Sequence, residues 1–146
     1  MLEGSLALLA VPGLPAALRA DDVAAVSVGA AFEATNAGTA QRRLFGDAEV
    51  IPSAAVNLTL PTMIDNGANV PVAVATTLAG VRSMALVVER NPRPLAVWFE
   101  LGEGMRPVIN TRIKLGETST VHAIVQTGEG LFGAAADVTV TVGGCA

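Results

Sequence analysis

From residue 50 onward apolar and polar residues alternate with a period of two, the repeat of a strand that buries one face. In 55–60, Val56, Leu58 and Leu60 fall on one side and Asn57 and Thr59 on the other. Val70, Val72 and Val74 repeat the pattern, and Pro71, which has no N–H to donate, suits a strand start or edge. Asp65-Asn66-Gly67 between them predicts a turn built from residues that tolerate positive φ. Apolar-rich runs follow at 81–89, 95–101, 108–115, 120–127 and 131–142, with breaks at Asn91-Pro92-Arg93-Pro94 and Gly102-Glu103-Gly104. Seven such runs, with turn signals every ten residues or so, predict an all-β chain: an immunoglobulin-like antiparallel β-sandwich of about seven strands.

The first fifty residues follow other rules. Asp21 and Asp22 are N-cap candidates whose charge suits a helix N-terminus. The Ala-rich stretch 23–34 predicts a short helix, with Gly29 as its weak point. Residues 36–46, rich in Asn, Gly and Thr, read as a loop carrying the basic pair Arg42-Arg43. The apolar stretch 5–18 has the length of a signal-peptide core and is too short to span a bilayer as a helix. Met1-Leu2-Glu3-Gly4 supplies no basic residue before it, so 1–20 reads as the remnant of a secretory leader, with an apolar arm of the folded protein as the alternative. The expected organisation is therefore a leader-like 1–20, a sandwich domain with its N-terminal helix over 21–142, and a tail over 143–146.

Composition narrows the function classes. Hydrophobic residues make up 51% of the 146 and charged residues 15%, which is too apolar for a disordered chain and enough for one core. A net charge of −4 without a Lys/Arg cluster argues against nucleic acid and anionic membrane surfaces as partners. The single cysteine cannot form an internal disulfide, and in an exported protein it points to a reactive thiol or an intermolecular bond.

That cysteine lies in Gly143-Gly144-Cys145-Ala146. Free Cys is ordinarily a small buried hydrophobe. Two glycines before it, at the end of a chain, give it mobility and exposure instead, so it can be presented to another molecule. Other candidates have plainer readings. Gly128-Glu129-Gly130-Leu131-Phe132-Gly133 spells G-x-G-x-x-G, but a strand pattern follows it where a dinucleotide site needs a helix N-terminus, so it reads as a glycine hairpin. His122, the only histidine, sits on the strand face opposite Val121 and Ala123, with no second ligand at metal spacing. No G-x-S-x-G elbow accompanies it. Cys145 with His122 as a thiol enzyme would need a fixed environment that lowers the thiol pKa, which a Gly-Gly tail does not supply. Glu100, Glu103 and Glu117 read as solubilising charge, and Asn57-Leu58-Thr59 is a glycosylation sequon in spelling only.

The Val/Thr-rich run ending in Val140-Thr141-Val142-Gly143-Gly144-Cys145 resembles the end of the SoxY family, the sulfur-carrier subunit of the bacterial thiosulfate-oxidising system. Leu60-Pro61 through Asn66-Gly67, Val70-Pro71-Val72, Asn91-Pro92-Arg93-Pro94, Thr111-Arg112-Ile113-Lys114-Leu115 and Gly130-Leu131-Phe132 extend the likeness across 20–145. The resemblance implies a carrier and not an enzyme. Cys145 would be the covalent attachment point for sulfur intermediates, Gly143 and Gly144 the hinge, with no cofactor or metal. It implies a SoxZ-like sandwich subunit as heterodimer partner, SoxXA, SoxB and SoxCD type enzymes as clients, and a periplasmic location. Reversible S–S chemistry at a thiolate suits the task, and four extended residues after Val142 reach about 13 Å at most. The departure is Ala146, which stands where the family carries two glycines. The rival reading is a non-catalytic sandwich module whose Cys145 forms an interchain disulfide.

Overall fold

The computed structural model describes residues 20–141; the leader-like segment and the predicted site residues Gly143, Gly144 and Cys145 lie outside the described residues. Two helices, α1 (Ala20–Glu33) and α2 (Ala37–Phe45), precede nine strands. The seven predicted strands are all present: β2 (Val56–Thr59), β4 (Val70–Thr76), β5 (Val81–Val88), β6 (Leu95–Glu100), β7 (Val108–Ile113), β8 (Ser119–Thr127) and β9 (Gly130–Val140). Two more, β1 (Val50–Pro52) and β3 (Met63–Ile64), both pair parallel to β9. At three and two residues they are too short to show a period of two.

The strands form two sheets. The larger runs β1-β9-β8-β5-β6, with β3 also on β9, and the smaller runs β2-β4-β7. Alternation along β4 and β7 points Val70, Val72, Val74, Ile109 and Ile113 at the larger sheet, which answers with Met84, Leu86, Val88, Val121, Val125 and Val138. Pro71 lies at the start of β4, before the stretch that β2 pairs (Thr59 opposite Ala73), so its missing N–H breaks no β2 ladder bond.

Strand β5 departs from alternation: every residue from Ser83 to Val88 is buried. The cause is a second core on the outer face, where Ala31, Ala34 and Ala40 of the helical segment pack on Ala85, Val87, Leu95, Ile124 and Leu131. Alanines let the helices approach closely, and Phe45 meets Trp98 with ring centroids 5.7 Å apart.

Helix α2 overturns the loop expected at 36–46. Asn36 is its N-cap, accepting from the Thr39 N–H at 2.8 Å, and the Gly46 N–H donates to Arg42 O at 2.8 Å with φ 73°. The residues that spell a loop are the helix's two caps. Arg42 and Arg43 fall in the last turn, and Arg43 Nη1 donates to Ala30 O at 2.7 Å, tying α2 to α1. Nine residues are marginal as an isolated helix, so α2 depends on docking through buried Ala40. No helix among the described residues is long and apolar enough to cross a membrane.

Candidate functional site

The predicted site begins where β9 ends. The described chain stops at Thr141, four residues before Cys145, and that root is held from two sides. Parallel pairing with β3 sets Met63 opposite Thr139 and Ile64 opposite Val140. The Thr139 N–H donates to Thr62 O and the Thr141 N–H to Ile64 O, both at 2.9 Å. The Thr141 hydroxyl donates to Asp65 Oδ1 at 2.8 Å, and the Val140 N–H donates to Thr118 Oγ1 at 2.9 Å. The hydroxyls of Thr141, just past β9, and Thr118, just before β8, thus supply side-chain contacts besides the ladder.

The loops around the root are fixed in the same manner. Asn91 Nδ2 donates to Lys114 O at 2.6 Å while its Oδ1 accepts from the Gly116 N–H at 3.0 Å, so the loop after β5 clasps the loop after β7. The Asp65-Asn66-Gly67 turn is present, with Asn66 Oδ1 accepting from the Ala68 N–H at 2.9 Å. Its glycine has another reason than the one expected: Gly67 is not among the positive-φ residues. A Cβ there would lie 2.0 Å from Leu115 O and 3.6 Å from Val140 Cγ1. Only a residue without a side chain lets this loop close on β7 and β9 at the tail root, sealed by the Leu115 N–H donating to Gly67 O at 2.7 Å.

The remaining candidates resolve simply. The G-x-G-x-x-G run is the β8–β9 hairpin, where Thr127 pairs with Gly130 and Gly130 takes φ 145°, a region that favours glycine. His122 lies on the outer face of the larger sheet, opposite the buried Val121 and Ala123 as expected. It is not alone: its Nε2 lies 2.6 Å from Glu89 Oε2, with both side chains partly exposed. Sequence reasoning missed Glu89 because 33 residues separate the two, and only the β5–β8 register, Val87 opposite His122, brings them together. Among the described residues no cluster of three or more His, Cys, Asp or Glu could hold a metal ion.

The structure gives no support to a Cys145–His122 thiol enzyme. His122 is opposite Ala135, six residues before Thr141, which is about 20 Å of strand. Four residues beyond Thr141 span about 14 Å at most. Glu100, Glu103 and Glu117 are exposed, Glu117 at 3.9 Å from Arg90. Asn57 and Thr59 of the sequon are exposed positions of β2.

Comparison with known proteins places this geometry. No curated protein sequence matches the chain. Among solved structures, the sulfur carrier protein SoxY from Chlorobium limicola f thiosulfatophilum superposes with a TM-score of 0.66 at 30% identity, over 72% of this chain and 96% of that one. A superoxide reductase (neelaredoxin) from Ignicoccus hospitalis matches with a TM-score of 0.55 at 15% identity, over 63% of this chain and 95% of that one, a likeness of fold alone. The family model for sulfur oxidation protein SoxY matches residues 41–145, from the middle of α2 through the tail cysteine. The chain belongs to the SoxY family of sulfur oxidation proteins.

Proposed function

We propose that the protein carries thiosulfate-derived sulfur covalently on Cys145 and presents it to the enzymes that oxidise it. A SoxY-family chain is a sulfur carrier and not a catalyst, so the chemistry asked of it is attachment, presentation and release. The observation that carries the reading is the extent of the family match, which runs through residue 145 and so includes the only cysteine. The hydrogen-bonded root at Thr139 and Thr141 supports it mechanically. A carrier arm needs a fixed base and a flexible joint, and Gly143-Gly144 is the joint on this reading.

In the proposed cycle the thiolate of Cys145 and thiosulfate are joined in an S–S bond, with two electrons passing to an oxidising partner enzyme. Client enzymes of the SoxXA, SoxB and SoxCD type then act on the attached group while the sandwich stays outside their channels. The sulfur is held on the side chain itself, so the reading requires no separate cofactor. The site of action is the periplasm, consistent with the leader-like apolar stretch 5–18.

A SoxZ-like sandwich subunit is the proposed standing partner. In its favour, β6 and β7 are both sheet edges, and exposed Phe99, Met105 and Val108 lie on or between them. Reconstitution tests the function: with thiosulfate, the SoxZ-like subunit and the oxidising enzymes, wild-type protein should sustain thiosulfate consumption and Cys145→Ala should abolish it. Equal consumption by both proteins contradicts the carrier role.

A further inference from the structure

Lys114 is the only lysine in the chain, and it stands at the tail root. It continues the exposed side of β7, on which Asn110 and Arg112 precede it while Ile109, Ile113 and Leu115 point inward. Leu115 O and Val140 Cγ1 both lie within 4 Å of the Cβ position at Gly67. Lys114 is therefore one residue, and Arg112 three, from a residue beside the base of the tail.

The charges around this end are unevenly engaged. Glu89 holds His122, Glu117 lies near Arg90, Glu33 pairs with Arg93 at 3.1 Å, and Asp65 and Asp137 accept from Thr141 and Thr120. Arg112 and Lys114 have no ion partner among the described residues. Arg82 and Arg106, also without one, sit at the far end of the sandwich, beside the starts of β5 and β7.

Arg112 also lines a concavity of about 500 Å³ on the outer face of the smaller sheet, together with Thr59, Pro61, Pro71 and Asn110. Helices cover the outer face of the larger sheet, but no described element covers this one. It offers a guanidinium, an amide and a hydroxyl around a shallow apolar floor, a set suited to an oxyanion. The chain segment outside the described residues at this end begins at 142, and Cys145 can stand about 14 Å from Thr141. Arg112 is three residues, about 10 Å of strand, from Leu115 beside the base of the tail, so on the carrier reading a sulfonate borne by Cys145 is an anion this face can meet.

We propose that the Arg112–Lys114 face of the smaller sheet receives the loaded tail, residues 142–146, and holds the sulfonate oxygens of the group on Cys145 when no client enzyme has taken it. This rests on the carrier reading for its natural cargo, yet it can be tested without partner enzymes. Tetrathionate loads the thiol chemically: the Cys145 thiolate attacks a central sulfur, a new S–S bond joins the protein to S–SO₃⁻, and the central S–S bond breaks as thiosulfate leaves with the electron pair.

NMR of protein loaded in this way should show shifts at the Arg112 side-chain N–H and the Arg112 and Lys114 amides, absent from Cys145→Ala treated alike. Removal of the load by a neutral thiol should be on the order of two- to fivefold faster in Arg112→Gln/Lys114→Gln, the size expected of an exposed charge contact. The single Lys114→Gln, at an exposed position, should show part of that acceleration and serves if the double variant folds poorly. Loading without shifts at β7, or equal release rates, overturns the docking face and leaves the carrier reading intact. Shifts in treated Cys145→Ala would mean free-ion binding and also overturn it. If the shifts appear as described but thiosulfate and the partner enzymes never load Cys145, the carrier reading fails and the docking face stands.

Discussion

The two sheets send the same kind of side chain into the core between them but differ on their outer faces. The larger sheet is buried on both sides, with Leu86 facing the smaller sheet and Ala85 facing the helices. The smaller sheet buries Val70, Val72 and Val74 while Pro71, Ala73 and Ala75 look outward from a face that no helix among the described residues covers. β9, from which the tail leaves, belongs to the doubly covered sheet. On the proposed carrier reading, residues 142–146 form an arm rooted in the half that is covered on both sides, and the uncovered face lies on the half left for contacts. A carrier needs both: a base that does not yield when the arm is pulled into a channel, and surface that other molecules can meet.

Several substitutions would break or sharpen that contrast. Leu86→Ala removes a fully buried side chain from between the sheets and should cost about 2–5 kcal/mol in denaturant unfolding; a loss below about 1 kcal/mol would mean that this core is loosely packed. Gly67→Ala puts a methyl where Leu115 O lies 2.0 Å away, and should cost about 1–3 kcal/mol. It should also speed hydrogen exchange at the Thr139 and Thr141 amides; unchanged exchange there would show that the Gly67 loop does not brace the root.

One substitution made on both outer faces compares them directly. Ala85→Leu, beneath the helices, should cost about 1–3 kcal/mol by overpacking. Ala73→Leu on the bare face should stay within about 0.5 kcal/mol of wild type. Equal costs would erase the distinction between the sheets. Asn36→Ala should lose about 1 kcal/mol through the missing N-cap. Thermal unfolding checks it, and no change would mean that α2 is held by docking alone.

Much of this was legible in the chain, and the misses share a cause. Strands such as β4 and β7 announce themselves because one face is buried and one is not, so Val70-Pro71-Val72 alternates. Helix α2 hid because it is only nine residues long and mostly polar or small, with Ala40 its one fully buried residue, and its caps Asn36 and Gly46 are spelled like a loop. β1 and β3 hid because their pairing to β9 is decided by tertiary closure, with Ile64 opposite Val140 fixed by no local pattern. The Glu89–His122 pair is legible only once β5 and β8 are in register. Gly67 was placed in its turn for the wrong reason, because close approach to Leu115 leaves no trace in the neighbouring residues. The candidate thiol stands out in the sequence because a lone cysteine after two glycines is a local feature, and it lies outside the described residues.

The central claim is that sulfur travels on Cys145. Intact mass and fragmentation of the protein after turnover with thiosulfate, the SoxZ-like subunit and the oxidising enzymes address it most directly. The account predicts a sulfur-containing adduct that fragments to Cys145 and is absent from Cys145→Ala. Protein that turns over thiosulfate with an unmodified Cys145, or with adducts that persist in Cys145→Ala, would contradict it.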